Sequence, residues 1–482
     1  MGGVTIPPAP TDSPHAPNPL GLAQTSESDR LRSYGIKASA VMRREARATT
    51  RRDFLKLAAS TAALCPFVSF PLRVIASQPT LNIAKWAHFL PEFDTWFEGW
   101  ASEWGRQHGL QVSVDEIPVE NIYARAQAET SAGDGHDIFI FPWPPAEFRR
   151  YAMNHDAVFQ MAASKYGSVP QIAYKSTFDF KNKKFFAVAD SWIPTPLLYF
   201  EDFWQQANMP YGPLTYTSLH SGGQRVREKT GIPCGLALTD TLEGNITCNT
   251  ILYAFGGTIT NRKGELRIDG RTTAALSFAK SLYRDAGTPD ETSWRTGENL
   301  RSMLSRKVSC TMGSISLLRM AEKQDPRLAS KIRLQPPLLG SYGVTAFPHV
   351  TNCSTVWEFS KNQAAAQQFL ADMIDQSKIA FEQSQGCNFP TYPKTLPDLL
   401  VRLENDAHAD PPSKYKELKD ALHWTPNLGA PGPVTPAWME TFNTFVIPRM
   451  FRRAVVGELS VLDAARAAET EMKQIAEKWS NA

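Results

Sequence analysis

The sequence predicts an α/β protein with two lobes, each built from a mainly parallel sheet flanked by helices. Beyond residue 80, segments typical of strands alternate with segments typical of helices. This order builds a parallel sheet covered by helices. About 400 of the 482 residues follow the N-terminal leader, which is more than one hydrophobic core usually organises, so we expect two lobes.

The first strand and helix of the alternating region have clear patterns. Residues 81 to 86, LNIAKW, are predicted to form a strand, and residues 92 to 108 a helix. Large aromatic residues fall on one face of that helix: Phe93, Trp96, Trp100 and Trp104. Such a stripe is more typical of core packing than of a ligand site, so we expect it to pack against the rest of the lobe.

Two further strands complete a β-α-β-α-β order. LQVSVDEI predicts a strand, residues 120 to 132 a helix, and HDIFIF a buried strand that ends at residue 141. Ligands of such sheets gather beyond the carboxyl ends of the strands. Trp86 and Trp143 follow the first and third strands there. Both are therefore candidate ligand contacts, with plugging of the core rim as the alternative.

The first 76 residues are predicted to carry no fold. Residues 1 to 41 are rich in Pro, Ser and Gly, which indicates a disordered leader. Met42 offers a second start codon, which would leave that leader untranslated. Residues 42 to 76 are predicted to be a signal peptide, because a basic head precedes an apolar run too short to span a membrane.

The head of that signal peptide resembles the twin-arginine export signal of bacteria. The resemblance lies in the run Thr50-Arg51-Arg52-Asp53-Phe54-Leu55-Lys56. It implies export by the twin-arginine translocase to the periplasm. We expect cleavage near Ala76 and no lipid on Cys65, because Leu64 stands where a small residue is required.

Charge and cysteine usage exclude other classes of protein. The leader and signal peptide hold 10 of the 51 basic and 5 of the 48 acidic residues, so the mature chain is slightly acidic. We therefore predict no nucleic-acid partner. The mature cysteines lack a C-x-x-C pair, so neither a metal nor a redox cofactor is predicted. They are Cys234, Cys248, Cys310, Cys353 and Cys387.

An exported enzyme is the rival class. The chain has no G-x-S-x-G, H-E-x-x-H or phosphate-binding glycine motif, and its histidines are scattered. A carboxylate pair for glycoside hydrolysis would not be visible in sequence, since its members meet only in three dimensions. We predict a protein that is not an enzyme, with a glycoside-acting hydrolase as the alternative.

Three segments carry a resemblance to a known family. ILYAFGGTITNRKGELRIDGRTTAALSFAKSLYRDAG contains a Gly256-Gly257 turn and a hairpin at Gly264, VSCTMGSI contains Met312-Gly313, and VWEFSKNQAAAQQFLADMI contains Ser360-Lys361-Asn362. Their order and spacing resemble family 1 extracellular solute-binding proteins, the carbohydrate receptors of bacterial ABC importers. The chain departs from the family at Tyr199-Phe200, where that family has tyrosine and asparagine.

The resemblance implies a two-lobe periplasmic-binding-protein fold with hinge strands between the lobes. Residues 80–188 and 346–386 would form the first lobe, and 189–345 and 387–482 the second. A deep cleft between the lobes would hold the solute. The closed protein, expected to be a monomer, would deliver the solute to an ABC transporter membrane permease.

The predicted ligand is a sugar or oligosaccharide, because indole rings pack on sugar faces and polar side chains bind hydroxyls. A polyamine or a glycerophosphodiester would suit the same cleft. Asp240, Glu243 and Asn249 flank a predicted helix, where helix capping is the alternative role. The candidate ligand-binding residues are the predicted loop tryptophans and nearby carboxylates: Trp86, Glu92, Trp143, Asp190, Trp192, Glu243, Trp294 and Trp357.

Overall fold

The computed structural model describes residues 78–480, so the predicted leader and signal peptide lie outside the described residues. The strands, numbered β1 to β13, are Thr80–Trp86, Gln111–Ile117, Ile138–Phe141, Phe178–Asp179, Lys184–Phe185, Val188–Ile193, Leu197–Phe200, Cys310–Met312, Ile332–Gln335, Leu339–Gly340, Gly343–Val344, Val350–Val356 and Phe389–Pro390.

The α-helices are numbered α1 to α18 in the same way. They are Pro91–His108, Ile122–Ala132, Asp156–Tyr166, Gln171–Thr177, Glu201–Gln206, Tyr216–Thr230, Leu242–Ala254, Thr272–Asp285, Glu298–Leu304, Ser316–Gln324, Pro326–Ala329, Gln363–Asp375, Ser377–Gln383, Leu399–Glu404, Ala421–Trp424, Pro436–Asn443, Val446–Val455 and Val461–Ser480.

A six-stranded sheet forms what we call the first lobe. Its strand order is β13-β6-β12-β3-β1-β2. The predicted β-α-β-α-β unit is confirmed, since β1 pairs in parallel with both β2 and β3. Beyond β3 the sheet is mixed, because β12 and β6 are antiparallel to their neighbours. Every residue of β3 and β12 is buried, so the lobe's core lies along these central strands.

Helix α1 covers one face of this sheet with its aromatic stripe. Trp104 is buried, and its Nε1 donates a 2.8 Å hydrogen bond to Asp372 of α12. Phe369 of the same helix contacts the rings of Trp100 and Trp104 at centroid distances of 4.8 and 5.1 Å. The stripe therefore packs α1 against α12, as the sequence predicted for a core face.

A three-stranded sheet, β8-β7-β9, forms the centre of what we call the second lobe. The predicted two-lobe α/β fold is confirmed, but the strand direction of this sheet differs from the prediction. Both strand pairs are antiparallel rather than parallel. Long helical excursions separate these strands in the chain, so the local β-α-β rule that fixes direction in the first lobe does not apply to them.

Three segments of the described chain pass between the two sheets. The first joins β6 to β7 through Pro194, Thr195 and Pro196. The second enters β12 at Val350, and the third leaves β13 at Pro390. Strands β6 and β13 both belong to the first sheet, although the predicted boundaries assigned most of β6 and all of β13 to the second lobe. The full lobe boundaries stay a prediction.

The cysteines of residues 78–480 form no disulfide bond. The five cysteines of this range are buried and carry free thiols. No described helix is both long enough and apolar enough to cross a lipid bilayer. The described residues also contain no cluster of three or more histidine, cysteine or carboxylate side chains arranged for a metal ion.

Candidate functional site

A cavity of about 350 Å³ lies between the lobes, beyond the carboxyl ends of β2 and β3. This is the edge of the sheet at which the sequence predicted a ligand to bind. The first lobe contributes the residues that follow these two strands, and the second lobe contributes the start of α7 and the turn between α16 and α17. The lining residues are Val119, Glu120, Tyr123, Trp143, Asp240, Thr241, Leu242, Asn245, Thr296, Phe442, Asn443 and Phe445.

Two aromatic residues form the first-lobe wall. Trp143 follows β3 between two prolines, and its Nε1 donates a 3.4 Å hydrogen bond to the carbonyl oxygen of His349. Tyr123 of α2 donates a 3.0 Å hydrogen bond from its hydroxyl to the carbonyl oxygen of Trp143. The two rings lie 6.5 Å apart at 25°. These contacts fix both rings in place before any ligand arrives.

The N-terminus of α7 forms the second-lobe wall. Thr241 caps the helix by accepting a 3.2 Å hydrogen bond from the backbone of Gly244. A Cβ on Gly244 would collide with the carbonyl oxygen of Thr239, so this tight first turn requires glycine. Asn245 ties the helix to α16, because its Nδ2 donates a 2.9 Å hydrogen bond to the carbonyl oxygen of Phe442.

A strained turn closes the wall opposite Trp143. Phe442 packs against Trp143 with ring centroids 5.3 Å apart. Phe445 adopts a left-handed backbone conformation, with φ of +56°, between α16 and α17. For a residue other than glycine this conformation costs on the order of 1–3 kcal/mol, and such strain is common at ligand-binding sites. The end of α16 and this turn thus each contribute one phenyl group to the cavity lining.

The ionised residues that line the cavity are both acidic. Asp240 has Arg449 and Arg452 beside it, each with a guanidinium nitrogen 3.9 Å from a carboxylate oxygen. Glu120 is exposed and forms no ion pair with any residue in the range 78–480. Behind the wall, Glu243 accepts a 2.9 Å hydrogen bond from the backbone of Gly297, and burial raises its pKa.

The predicted ligand residues are distributed over several places, and Trp143 alone among them lines this cavity. Glu243 lies directly behind it. The structure places Trp86 and Asp190 around a separate cavity inside the first lobe, of about 30 Å³, which has room for roughly one water molecule. There Trp86 donates a 2.9 Å hydrogen bond to Asn352, and burial raises the pKa of Asp190 to about 6.

The loop assignment of Trp192 was wrong, and Trp86 belongs to the first strand, as predicted for residues 81 to 86, rather than to a loop. Trp86 is the last residue of β1, and Trp192 lies within β6, where its ring packs 5.5 Å from that of Phe389. Trp294 does lie in a loop, but it is 7% exposed and belongs to the second hydrophobic core.

The two remaining candidates also lie away from the cavity lining. Trp357 is fully buried among the aromatic rings of the first-lobe core, including Phe139 and Phe148. Glu92 is exposed at the start of α1, where it forms an ion pair with Lys323 of α10 in the second lobe. Ligand contact by these residues stays a prediction that the cavity geometry does not support.

Sequence reasoning missed most of the cavity's lining. Glu120 and Tyr123 lie three and six residues after the second predicted strand and could have been found by extending the carboxyl-end rule into the helix that follows it. Phe442, Asn443 and Phe445 come from the far end of the chain. Nothing local in the sequence marks them, because their position depends on the packing of the C-terminal helices.

Comparison with known proteins identifies the fold. No family model matches the chain, and no curated protein matches its sequence. Solved structures do match, and those with the following ligands are 14 to 16% identical. An ABC transporter solute-binding protein from Thermotoga lettingae TMO, bound with alpha-D-tagatose, is 16% identical with a TM-score of 0.68, and the match covers 83% of this chain and 100% of that one.

Two further solved structures give the same result. A sugar transporter from Arthrobacter chlorophenolicus A6 with bound laminaribiose is 14% identical with a TM-score of 0.67, covering 82% of this chain and 99% of that one. A cyclic alpha-maltosyl-1,6-maltose binding protein from Arthrobacter globiformis is 15% identical with a TM-score of 0.64, covering 83% and 100%. The chain therefore has the two-lobe fold of ABC transporter solute-binding proteins.

Proposed function

We propose that this protein captures a sugar or oligosaccharide in the interlobe cavity and delivers it to an ABC transporter permease. The observation that carries the proposal is the cavity itself. It lies between two lobes and combines fixed aromatic rings, Trp143 and Tyr123, with polar groups from α7 and α16. Sugar rings offer apolar C–H faces and hydroxyls, which such a mixed lining can bind.

The working cycle follows from two lobes joined by three crossing segments. A ligand that contacts both walls favours the closed arrangement, because it binds that state more tightly than the open one. The first wall is carried by the six-stranded sheet and the second by α7 and α16, so rotation at the crossings changes the distance between them. The permease would recognise the closed, loaded form.

We place the protein in the periplasm as a monomer and infer export by the twin-arginine translocase. The support is the Arg51-Arg52 signal in the sequence together with the fold, which the structural neighbours use for solute binding. We assign no catalysis to the cavity. Its two lining carboxylates, Glu120 and Asp240, stand on opposite lobes, where their separation changes as the lobes move.

A ligand screen tests the proposed function. Residues 77 to 482 are purified and their thermal unfolding is followed with neutral disaccharides, amino sugars, polyamines and glycerophosphodiesters. A ligand at 100 times its Kd should stabilise the protein by about 2.7 kcal/mol. Calorimetric titration of every hit gives the affinity. Stabilisation by a phosphodiester or a polyamine, with none by any saccharide, would contradict the proposal.

A further inference from the structure

We propose that the saccharide bound in the interlobe cavity carries a protonated amine. This inference rests on the proposed function and names the class of sugar. It begins from the charges that line the cavity: Glu120 and Asp240 are acidic, and none of the twelve lining residues is basic. A neutral sugar would leave Glu120 without a partner of opposite charge, whereas an ammonium group would pair with it.

The two carboxylates are not equivalent. Asp240 is partly compensated by Arg449 and Arg452, and Arg449 is itself shared with Glu471 at 2.6 Å. Glu120, across the cavity, has no ion-pair partner within the described chain. Its carboxylate is exposed in the cavity lining and is therefore the group with which a ligand cation would gain most.

The hydrogen-bonding groups of the lining point to the same ligand chemistry. Three lining residues already donate a hydrogen bond to a protein oxygen. Asn245 donates to Phe442 at 2.9 Å, Tyr123 to Trp143 at 3.0 Å, and Asn443 to Glu147 at 3.0 Å. The Oδ1 atom of Asn245, which is 1% exposed, accepts no hydrogen bond from a described residue. This amide oxygen and the two carboxylates are acceptors, and an ammonium group supplies three donors and no acceptor.

The aromatic rings of the lining are a third feature that favours a positively charged ligand. Tyr123, Trp143, Phe442 and Phe445 surround the same space. The face of an aromatic ring attracts a cation, and the attraction is stronger where water is excluded. Closure of the lobes would exclude water here. Rings that hold the apolar face of a sugar would therefore also favour a positively charged substituent on it.

Three disaccharides of the same linkage test this inference by titration calorimetry at about pH 6, where sugar amines are protonated. They are the β-linked dimer of glucosamine, its N-acetylated form and cellobiose, which carries hydroxyls instead of amines. We expect the glucosamine dimer to bind at least about tenfold more tightly than the other two. Its advantage should shrink as NaCl is raised, because salt screens the charge pairing.

A variant assigns the effect to Glu120. Glu120→Gln should lower the ratio of the glucosamine-dimer affinity to the cellobiose affinity about tenfold. Asp134→Asn is the matched control, because Asp134 is an exposed carboxylate just beyond the opposite end of α2. Both variants should keep the melting temperature, which shows that folding is intact.

The possible outcomes separate this inference from the proposed function. If cellobiose binds as tightly as the glucosamine dimer, or more tightly, the proposed protonated amine is overturned and the proposed sugar-binding function stands. An amine preference that survives unchanged in Glu120→Gln overturns the assignment to this carboxylate. If spermidine binds and no disaccharide does, the proposed sugar function fails and the inference fails with it.

Discussion

Asn443 of the second lobe donates a 3.0 Å hydrogen bond from its Nδ2 to the Oε2 atom of Glu147 in the first lobe. Glu147 belongs to the short 3-10 helix Ala146–Phe148 and lies four residues after Trp143. Burial raises the pKa of Glu147 to about 7, and the charge of Glu440 adds to the rise. A carboxyl group that changes charge near neutral pH therefore lies between the lobes, beside the cavity.

Stability should fall as the pH rises through this transition. The folded pKa of Glu147 is about 7 and its ordinary value is 4.5, so the folded state holds the proton more tightly. The stability linked to this proton is present in full below pH 4.5 and is lost as the pH rises through 7. A pKa shift of this size corresponds to at most about 3 kcal/mol. The expected loss is smaller than this maximum, because Glu147 is partly exposed to solvent.

Urea unfolding between pH 5 and 8 checks this pH dependence. Glu147→Gln keeps an acceptor for Asn443 and removes the titration, so its stability should change less over that range than that of the wild type. Asp134→Asn should follow the wild type. If the stability of Glu147→Gln and that of the wild type change equally with pH, the Glu147 carboxyl does not titrate between pH 5 and 8.

Trp143→Ala should weaken ligand binding. Loss of an aromatic platform costs roughly 1–3 kcal/mol by analogy with base stacking, which is about a 5- to 150-fold rise in Kd. Trp143 is only 6% exposed, so the melting temperature should fall as well. Trp357→Ala is the control: the same change in the first-lobe core should cost stability and leave the affinity of the folded fraction unchanged.

Trp192→Ala and Trp294→Ala should act on stability rather than on binding. The sequence predicted that both rings stack on the ligand, but they are 2% and 7% exposed and belong to the second hydrophobic core. Truncation of such rings costs about 3–5 kcal/mol. Melting temperature and calorimetry on the same samples distinguish the two roles. A variant that melts normally and no longer binds would restore the original prediction.

Replacement of both Arg51 and Arg52 by Lys should block export. The paired arginines are the specific feature of the predicted twin-arginine signal, and lysine keeps the positive charge of the signal head. Unprocessed precursor should accumulate in the cytoplasm, as cell fractionation and immunoblotting would report. A normal periplasmic yield would assign export to a pathway that reads only charge and hydropathy.

Ligand binding should make the protein more compact. Closure of two hinged lobes lowers the radius of gyration, which small-angle X-ray scattering measures with and without a saturating ligand. The Trp143→Ala variant at the same ligand concentration provides the comparison with reduced occupancy. An unchanged radius of gyration in a titration-verified complex would mean that the cavity binds without lobe movement.

The sequence predicted the first-lobe fold well because its signals are local. Strands β1 to β3 and helix α1 each fall within a few residues of their predicted positions, since hydrophobic periodicity depends on neighbouring residues alone. Direction in the second sheet was not predictable in this way. Strands β8 and β9 reach β7 after more than a hundred intervening residues, and only packing decides their orientation.

The cavity was less predictable than the fold for the same reason. Trp143 was found because it directly follows a strand at the correct edge of the sheet. Trp86 satisfied the same rule but lies in the core, held by its hydrogen bond to Asn352. The order of the strands across the sheet decides whether Trp86 or Trp143 faces the second lobe. The alternation of strands and helices along the sequence does not specify that order.

The five buried free thiols of the described chain determine where this protein is able to mature. Because none of them requires an oxidant, the described fold is able to form completely in a reducing compartment, which agrees with the proposed export of an already folded chain. A receptor of this kind would reach the cell envelope already in working order, independent of disulfide isomerases there.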